Sequence, residues 1–306
     1  MTVASSQATE STGRGNTSLW PTLALLGVTV AWGATFVVVQ MGVEAMPVSD
    51  YLFWRFGIAA VVMALLRPRS LVRLSRRDWR NGAVLGAFLA AAYFFQTIGL
   101  QYTSASVSGF ITGMFLVFVP LITAVVLKKP VAPSAWLAVG VATVGLGLLS
   151  LNGLAVGIGE FVTLLGAVAF AFHLVALSEW STGAKAYGLT VVQLGVVAIV
   201  AGVGAISDGA IDVPATTDLW INLLFMALVA TLLAYFLTTW ALAHLPPVRG
   251  AVILTMEPVF AGIFGVAIAG DEVTWRTAVG AGMILGATYL VELGPRRGVP
   301  EEAPYP

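Results

Sequence analysis

The chain has 306 residues, of which 58% are hydrophobic and only 10% charged, with a mean hydropathy of +0.93. A soluble domain carries about a quarter charged residues, so most of this chain has no water to face. Fifteen acids balance fifteen bases, which points to no nucleic-acid partner, and the absence of cysteine excludes disulfides, thiolate metal sites and cysteine nucleophiles together.

Residues 1–18 are polar and rich in Ser and Thr, and read as a disordered tail. They carry no basic run leading into a short apolar core, so no cleaved signal peptide is expected. Apolar runs of about 20 residues then recur to the end, each long enough to cross ~30 Å of hydrocarbon as a helix. They predict ten helices, at 20–43, 50–66, 80–100, 104–127, 134–151, 158–178, 188–206, 219–242, 248–269 and 274–293. Most prolines fall at or near helix ends, where they cost little. Pro120 and Pro258 fall inside spans, and each invites a kink. Gly82/Gly86, Gly109/Gly113 and Gly282/Gly286 pair small residues on one helical face. That pattern serves helix packing within the chain or, as a weak signal, a homodimer rather than a monomer.

Orientation follows from the bases. Counted through ten spans, Arg14, Arg67, Arg69, Arg73, Arg76, Arg77, Arg80, Lys128, Lys129, Lys185, Arg249, Arg296 and Arg297 share one side. Only Arg276 lies opposite, where Glu44, Asp50, Asp208, Asp212, Asp218, Asp271 and Glu272 gather, and Arg55 lies within a span. This asymmetry predicts a multi-pass protein of the cell membrane with both termini cytoplasmic.

The chain also repeats itself. A shift of 142 positions without a gap carries Ala92-Tyr93-Phe94, Thr97, Leu100, Ile111, Met114, Val117 and Phe118 onto Ala234-Tyr235-Phe236, Thr239, Leu242, Ile253, Met256, Val259 and Phe260. A shift of 138 places Ala31-Trp32-Gly33 on Ala169-Phe170-Ala171, and Arg55-Phe56-Gly57 on Gln193-Leu194-Gly195. Five helices per half is an odd number, so the second half enters the membrane upside down. The predicted fold is therefore an all-α integral membrane protein of ten transmembrane helices in two inverted five-helix repeats. The tail 1–18 precedes a first repeat at 19–151 and a second at 152–293, and a cytoplasmic tail at 294–306 follows. Inverted halves of nearly equal energy suit a transporter with its site between them.

The chain resembles the drug/metabolite transporter superfamily, and specifically its EamA-type members. The resemblance spans 20–293 and rests on Ala31-Trp32-Gly33, Arg55-Phe56, Thr103-Ser104-Ala105-Ser106, Glu257-Pro258-Val259-Phe260, Gly270-Asp271-Glu272 and Gly280-Ala281-Gly282. Phe110-Ile111-Thr112-Gly113 followed by Pro120 looks like the first-half variant of the same theme. The resemblance implies ten helices in inverted repeats and export or exchange of small metabolites. It leaves open amino acids, other metabolites, nucleotide sugars and drugs. The first half has Lys128-Lys129-Pro130 where the second has Gly270-Asp271-Glu272, so the acidic motif occurs once.

Intramembrane charges are costly and tend to be functional. Glu257 sits near the midplane, as a substrate-amine partner or protonatable gate, or as a structural carboxyl beside Pro258. His173 couples protons or simply bonds a backbone carbonyl. Arg55 snorkels or pairs with Asp50 or Glu44, or else recognises a substrate carboxylate. Tyr93 and Tyr235 fall in the central third of their spans, at equivalent places in the two halves. With Trp32, Gln96 and Trp240 they predict an aromatic pocket with a few polar groups, suited to an apolar or aromatic solute.

These features predict a secondary exporter of a small organic metabolite working by alternating access. No Gly-x-x-x-x-Gly-Lys-Ser/Thr loop is present, and no cofactor or metal is expected. An intramembrane lipid-modifying enzyme is the alternative, but neither His-Glu-x-x-His nor Gly-x-Ser-x-Gly occurs and the two histidines lie far apart, so no enzyme is expected.

Overall fold

The computed structural model describes residues 19–128, 130, 133–152, 155–181, 185–242, 244–245, 250 and 253–293. Both predicted tails and the first turn of the predicted ninth helix lie largely outside these residues. The described chain is almost wholly helical. It opens with α1 (Leu19–Ala45), α2 (Val48–Leu66), a one-turn α3 (Arg69–Val72) and α4 (Arg76–Leu100). The fourth predicted span is divided into α5 (Ala105–Gly113) and α6 (Phe115–Val126), and α7 is Pro133–Ser150. Two-residue strands β1 (Leu151–Asn152) and β2 (Ala155–Val156) pair antiparallel in the turn that follows.

Next come α8 (Ile158–Trp180), α9 (Ala186–Ser207) and α10 (Thr217–Leu224). A π-helical segment, Phe225–Leu233, leads directly into α11 (Ala234–Leu242). The chain closes with α12 (Glu257–Phe264), a second π segment at Gly265–Ala269, and α13 (Trp275–Leu293). Among the described residues, seven helices are long and apolar enough to cross a membrane, and Trp136–Leu148 and Glu257–Ala269 are shorter apolar helices.

Local chemistry sets the helix ends. Ser75 caps α4 by accepting from the Asp78 amide (3.2 Å), while the Asp78 carboxylate accepts from the Ser75 amide (2.9 Å). Ser104 and Thr216 cap α5 and α10 in the same sense, from Val107 (3.3 Å) and Leu219 (3.2 Å). Gly270, at φ 73°, supplies the left-handed residue that ends the second π segment.

The fourth span is interrupted ahead of Pro120, where the sequence predicts a kink. It breaks at Met114, whose amide bonds the Ile111 carbonyl three residues back (3.1 Å). The ladder has already tightened before the proline is reached, and Pro120 sits inside α6. The same turn recurs at Met256, whose amide bonds Ile253 (3.0 Å), just before Glu257 and Pro258 open α12. There the proline occupies the first turn, where its missing N–H costs nothing.

The main core joins α1, α2, α4 and α9 around Tyr51, Phe56, Leu52, Leu89 and Leu194. Here α4 packs on α8 and α9, α2 on α9, α1 on α11 and α12, and α7 on α13. Large apolar side chains such as Val61, Ile199, Val203, Ile221 and Ile263 face outward, as expected of a surface solvated by lipid. Of the glycine pairs, Gly82, Gly86, Gly109 and Gly113 are spent inside the chain, where an added Cβ would crowd Val192, Val196, Ala261 and Pro258. Gly282 and Gly286 have open space beside them.

Candidate functional site

Tyr93 on α4 and Tyr235 on α11 meet among the helices with their hydroxyls turned toward one another. Tyr93 is ringed by Phe56 (centroids 4.6 Å apart) and Phe170, which meets it edge-on at 5.2 Å. Tyr235 is met edge-on by Trp32 at 6.2 Å. The indole Nε1 of Trp32 donates to the Ala230 carbonyl at 2.9 Å. Ala230 lies in the π segment, where wider turns free carbonyls from the regular ladder, so the indole both satisfies that group and is held by it.

Arg55 lies seven residues into α2, roughly 10 Å along the helix from Val48. It is 4% exposed, and its guanidinium carbon stands 4.7 Å from the Phe56 centroid and 5.0 Å from that of Tyr93. Neither pairing read from its neighbourhood in sequence is formed. Asp50 instead accepts from the Asp212 amide at 2.7 Å, and among the described residues Arg55 has no ion pair and its Nε no acceptor. Aromatic faces are the environment that the cation has found.

Glu257 is the first residue of α12, so its carboxylate lies at the positive end of a half-helix. Arg55 and Glu257 are each within electrostatic reach of both tyrosine hydroxyls, yet no ion pair joins them among the described residues. On the diagonals of the repeat, Gln193 stands in the place of Arg55 and Phe115 in that of Glu257. The two halves thus match in aromatic framework and differ in charge.

A cavity of about 490 Å³ leads to this cluster from the arginine-rich end. Met63, Arg67, Tyr187, Leu232 and Trp240 line it, and Tyr235 reaches into it. The acid-rich end is tied across. Trp54 donates to the Asp212 carbonyl (2.8 Å), Tyr51 to Asn222 (2.8 Å), and Asn222 to Val38 (2.7 Å), while the Ser106 amide donates to Asp271 (2.8 Å).

Of the residues singled out in the sequence, Trp32, Arg55, Tyr93, Tyr235 and Glu257 are brought together. Trp240 lies farther along the cavity wall, its ring 5.2 Å from His244. Gln96 turns toward α5 and donates to Thr112 at 3.1 Å. His173 lies on α8, on the same helix as Phe170. Its Nε2 lies 2.6 Å from Gln193 Oε1, a side-chain partner rather than the backbone carbonyl expected. Phe56 and Phe170 were not singled out, although Phe170 occupies the position of Trp32 on the 138-residue diagonal. Among the described residues no group of three or more His, Cys, Asp or Glu is placed to hold a metal ion.

Comparison with known proteins agrees with this architecture. A transporter from Archaeoglobus fulgidus, described as uncharacterized, is 31% identical over 282 residues, covering 90% of this chain and 86% of its own. The uncharacterized inner membrane transporter YedA of Escherichia coli K12 is 24% identical over 281 residues, or 89% and 90% of the two chains. A solved crystal structure of another protein superposes with a TM-score of 0.61 over 92% of this chain and 98% of its own, at 16% identity, which shows a shared fold. The family described as EamA-like transporters matches twice, over residues 19–151 and 157–293. With both matches together covering most of its length, this multi-pass membrane protein belongs to the EamA-like transporter family.

Proposed function

We propose that the protein is a secondary exporter that carries a small organic solute by alternating access between two inverted five-helix repeats. The repeats are assigned to 19–151 and 152–293, with ten spans and both termini cytoplasmic. The carrying observation is the meeting of the Tyr93 and Tyr235 hydroxyls beside a cavity into which Tyr235 reaches. The aromatic partners of the two tyrosines support the symmetry. Trp32 of the first half meets Tyr235 of the second, and Phe170 of the second half meets Tyr93 of the first. Exchange of partners is what a two-fold axis between the halves produces. The equivalent turns at Met114 and Met256 point the same way.

In this reading the structure corresponds to an inward-facing state, with Asp50–Asp212 and Ser106–Asp271 bonds sealing the far side. Solute enters from the arginine-rich end, reaches Tyr235, and displaces the tyrosine pair to meet Arg55 and Glu257. Arg55 has the planar fork to hold a carboxylate, and Glu257 the chemistry to hold an amine or a proton. Trp32 and the flanking phenylalanines supply faces for an apolar or aromatic body.

The test begins with a metabolite-wide comparison of cells with and without the gene, to find a compound retained when the protein is missing. That compound is then offered to proteoliposomes in a counterflow assay. Tyr93→Ala and Tyr235→Ala should both lose counterflow at normal membrane levels. Full activity in both variants would place the pathway elsewhere.

A further inference from the structure

Beside the cavity mouth lies a second hollow of about 470 Å³, which shares Arg67 and Tyr187 with the cavity wall. Arg67, Arg69 and Arg73 reach it from the connection between α2 and α4, and Lys185 from the start of α9. Its frame is built rather than incidental. Gly188 lets the backbone of Ser70 come so close that an added Cβ would sit 2.7 Å from the Ser70 carbonyl oxygen. The Tyr187 hydroxyl donates to the Met63 carbonyl at 2.8 Å, and its ring holds the Arg67 guanidinium at 5.3 Å. Lys185 donates to Asp78 at 3.0 Å, and Asp78 is itself fixed by the cap it forms with Ser75.

Charge in the hollow is unbalanced. Asp78 answers Lys185, while Arg67, Arg69 and Arg73 have no carboxylate partner among the described residues. Next to them Leu65, Leu66 and Val72 are 74%, 63% and 85% exposed. Cations and bare aliphatic side chains mix in this way where a helix leaves hydrocarbon for the headgroup layer. A soluble anion would satisfy the arginines and leave the aliphatic groups uncovered. A phospholipid satisfies both, with its phosphate oxygens on the guanidinium forks and its acyl chains along Leu65, Leu66 and Val72.

We propose that this hollow is a binding site for the headgroup of an anionic phospholipid, seated at the rim of the transport cavity. The site stands whether or not the transport mechanism above is correct, because Arg69, Arg73 and Lys185 take no part in that mechanism.

The full chain is purified and placed in nanodiscs of phosphatidylcholine alone or mixed with phosphatidylglycerol. Thermal stability is measured, and lipids retained in detergent are counted by native mass spectrometry. Phosphatidylglycerol should raise the melting temperature and be retained preferentially. The pair Arg69→Gln with Arg73→Gln should lose that preference several-fold. The pair Arg76→Gln with Arg80→Gln, which removes the same charge at the same end, should keep it. If the first pair does not fold, Arg73→Glu, at an exposed side chain, gives the same comparison. Equal loss in both pairs would reduce the effect to general surface charge and overturn the site. No preference for phosphatidylglycerol in the unaltered chain would also overturn it. Inorganic phosphate that stabilises the chain in phosphatidylcholine and abolishes phosphatidylglycerol retention would reassign the hollow to a soluble ion.

Discussion

Tyr235 meets Tyr93 across 142 residues of chain, and each stands at the position the other holds in its own half. The contact is self-complementary, since two like groups face each other. It also joins the halves beside the cavity, where an entering solute would have to part them.

Removing only a hydroxyl tests that contact. Tyr235→Phe keeps the ring against Trp32 and deletes the polar group facing Tyr93, at a cost of about 1 kcal/mol in stability. Affinity for the solute should change more than thermal stability does. An unchanged concentration dependence of counterflow would separate the tyrosine pair from the pathway.

Arg55 should trade stability for activity. A buried, unpaired guanidinium resting on two rings is costly, so Arg55→Met should leave the purified protein as stable as before or more so. Transport of a carboxylate-bearing solute should fall by at least tenfold, and Arg55→Lys should rescue only part of it. A strongly destabilised Arg55→Met protein would mean that the cation supports the fold instead.

Glu257 is expected to carry the pH dependence of transport. A lone ionised carboxylate near the bilayer centre costs several kcal/mol, so it must be protonated, paired or hydrated, and which of these holds changes as the cavity opens to one side and then the other. Glu257→Gln preserves shape and hydrogen bonding but does not titrate. It should abolish proton-driven accumulation and leave solute exchange partly intact. Identical pH profiles for both proteins in proteoliposomes would remove Glu257 from coupling.

Topology is open to direct labelling because the chain contains no cysteine of its own. A cysteine placed at Ser5 or Glu301 should resist an impermeant thiol reagent in intact cells, while one at Asp212 reacts. Labelling at Ser5 would reverse the assigned orientation.

The internal repeat puts Tyr93 and Tyr235 at equivalent positions of the sequence, and the folded chain brings them together with Trp32. Other features were not legible, for physical reasons. Apolar composition does not distinguish a π turn from an α turn, so the segment at Phe225–Leu233 and the carbonyl it offers Trp32 left no trace in the sequence. Proline is the strong local signal in the fourth span, yet the break at Met114 forms one residue after Gly113, against Pro258 of the other half, and has no local signature of its own. Sequence proximity makes Asp50 one candidate partner for Arg55, yet Asp50 is taken by a backbone amide 162 residues away, a contact that only the folded chain creates.

The inequality of charge between the halves has an electrical consequence. Arg55 and Glu257 answer to Gln193 and Phe115 in the other half, so a rocking motion of the repeats would move ionisable groups through the membrane field on one side of the symmetry only. With Glu257 ionised the two charges nearly cancel, and the motion is electrically silent. With Glu257 protonated, one positive charge remains, worth about 2.3 kcal/mol per 100 mV for a full crossing and proportionally less for a partial one. Voltage would then bias the exchange between states only while the proton is on board, which makes the membrane potential a second hand on the same gate.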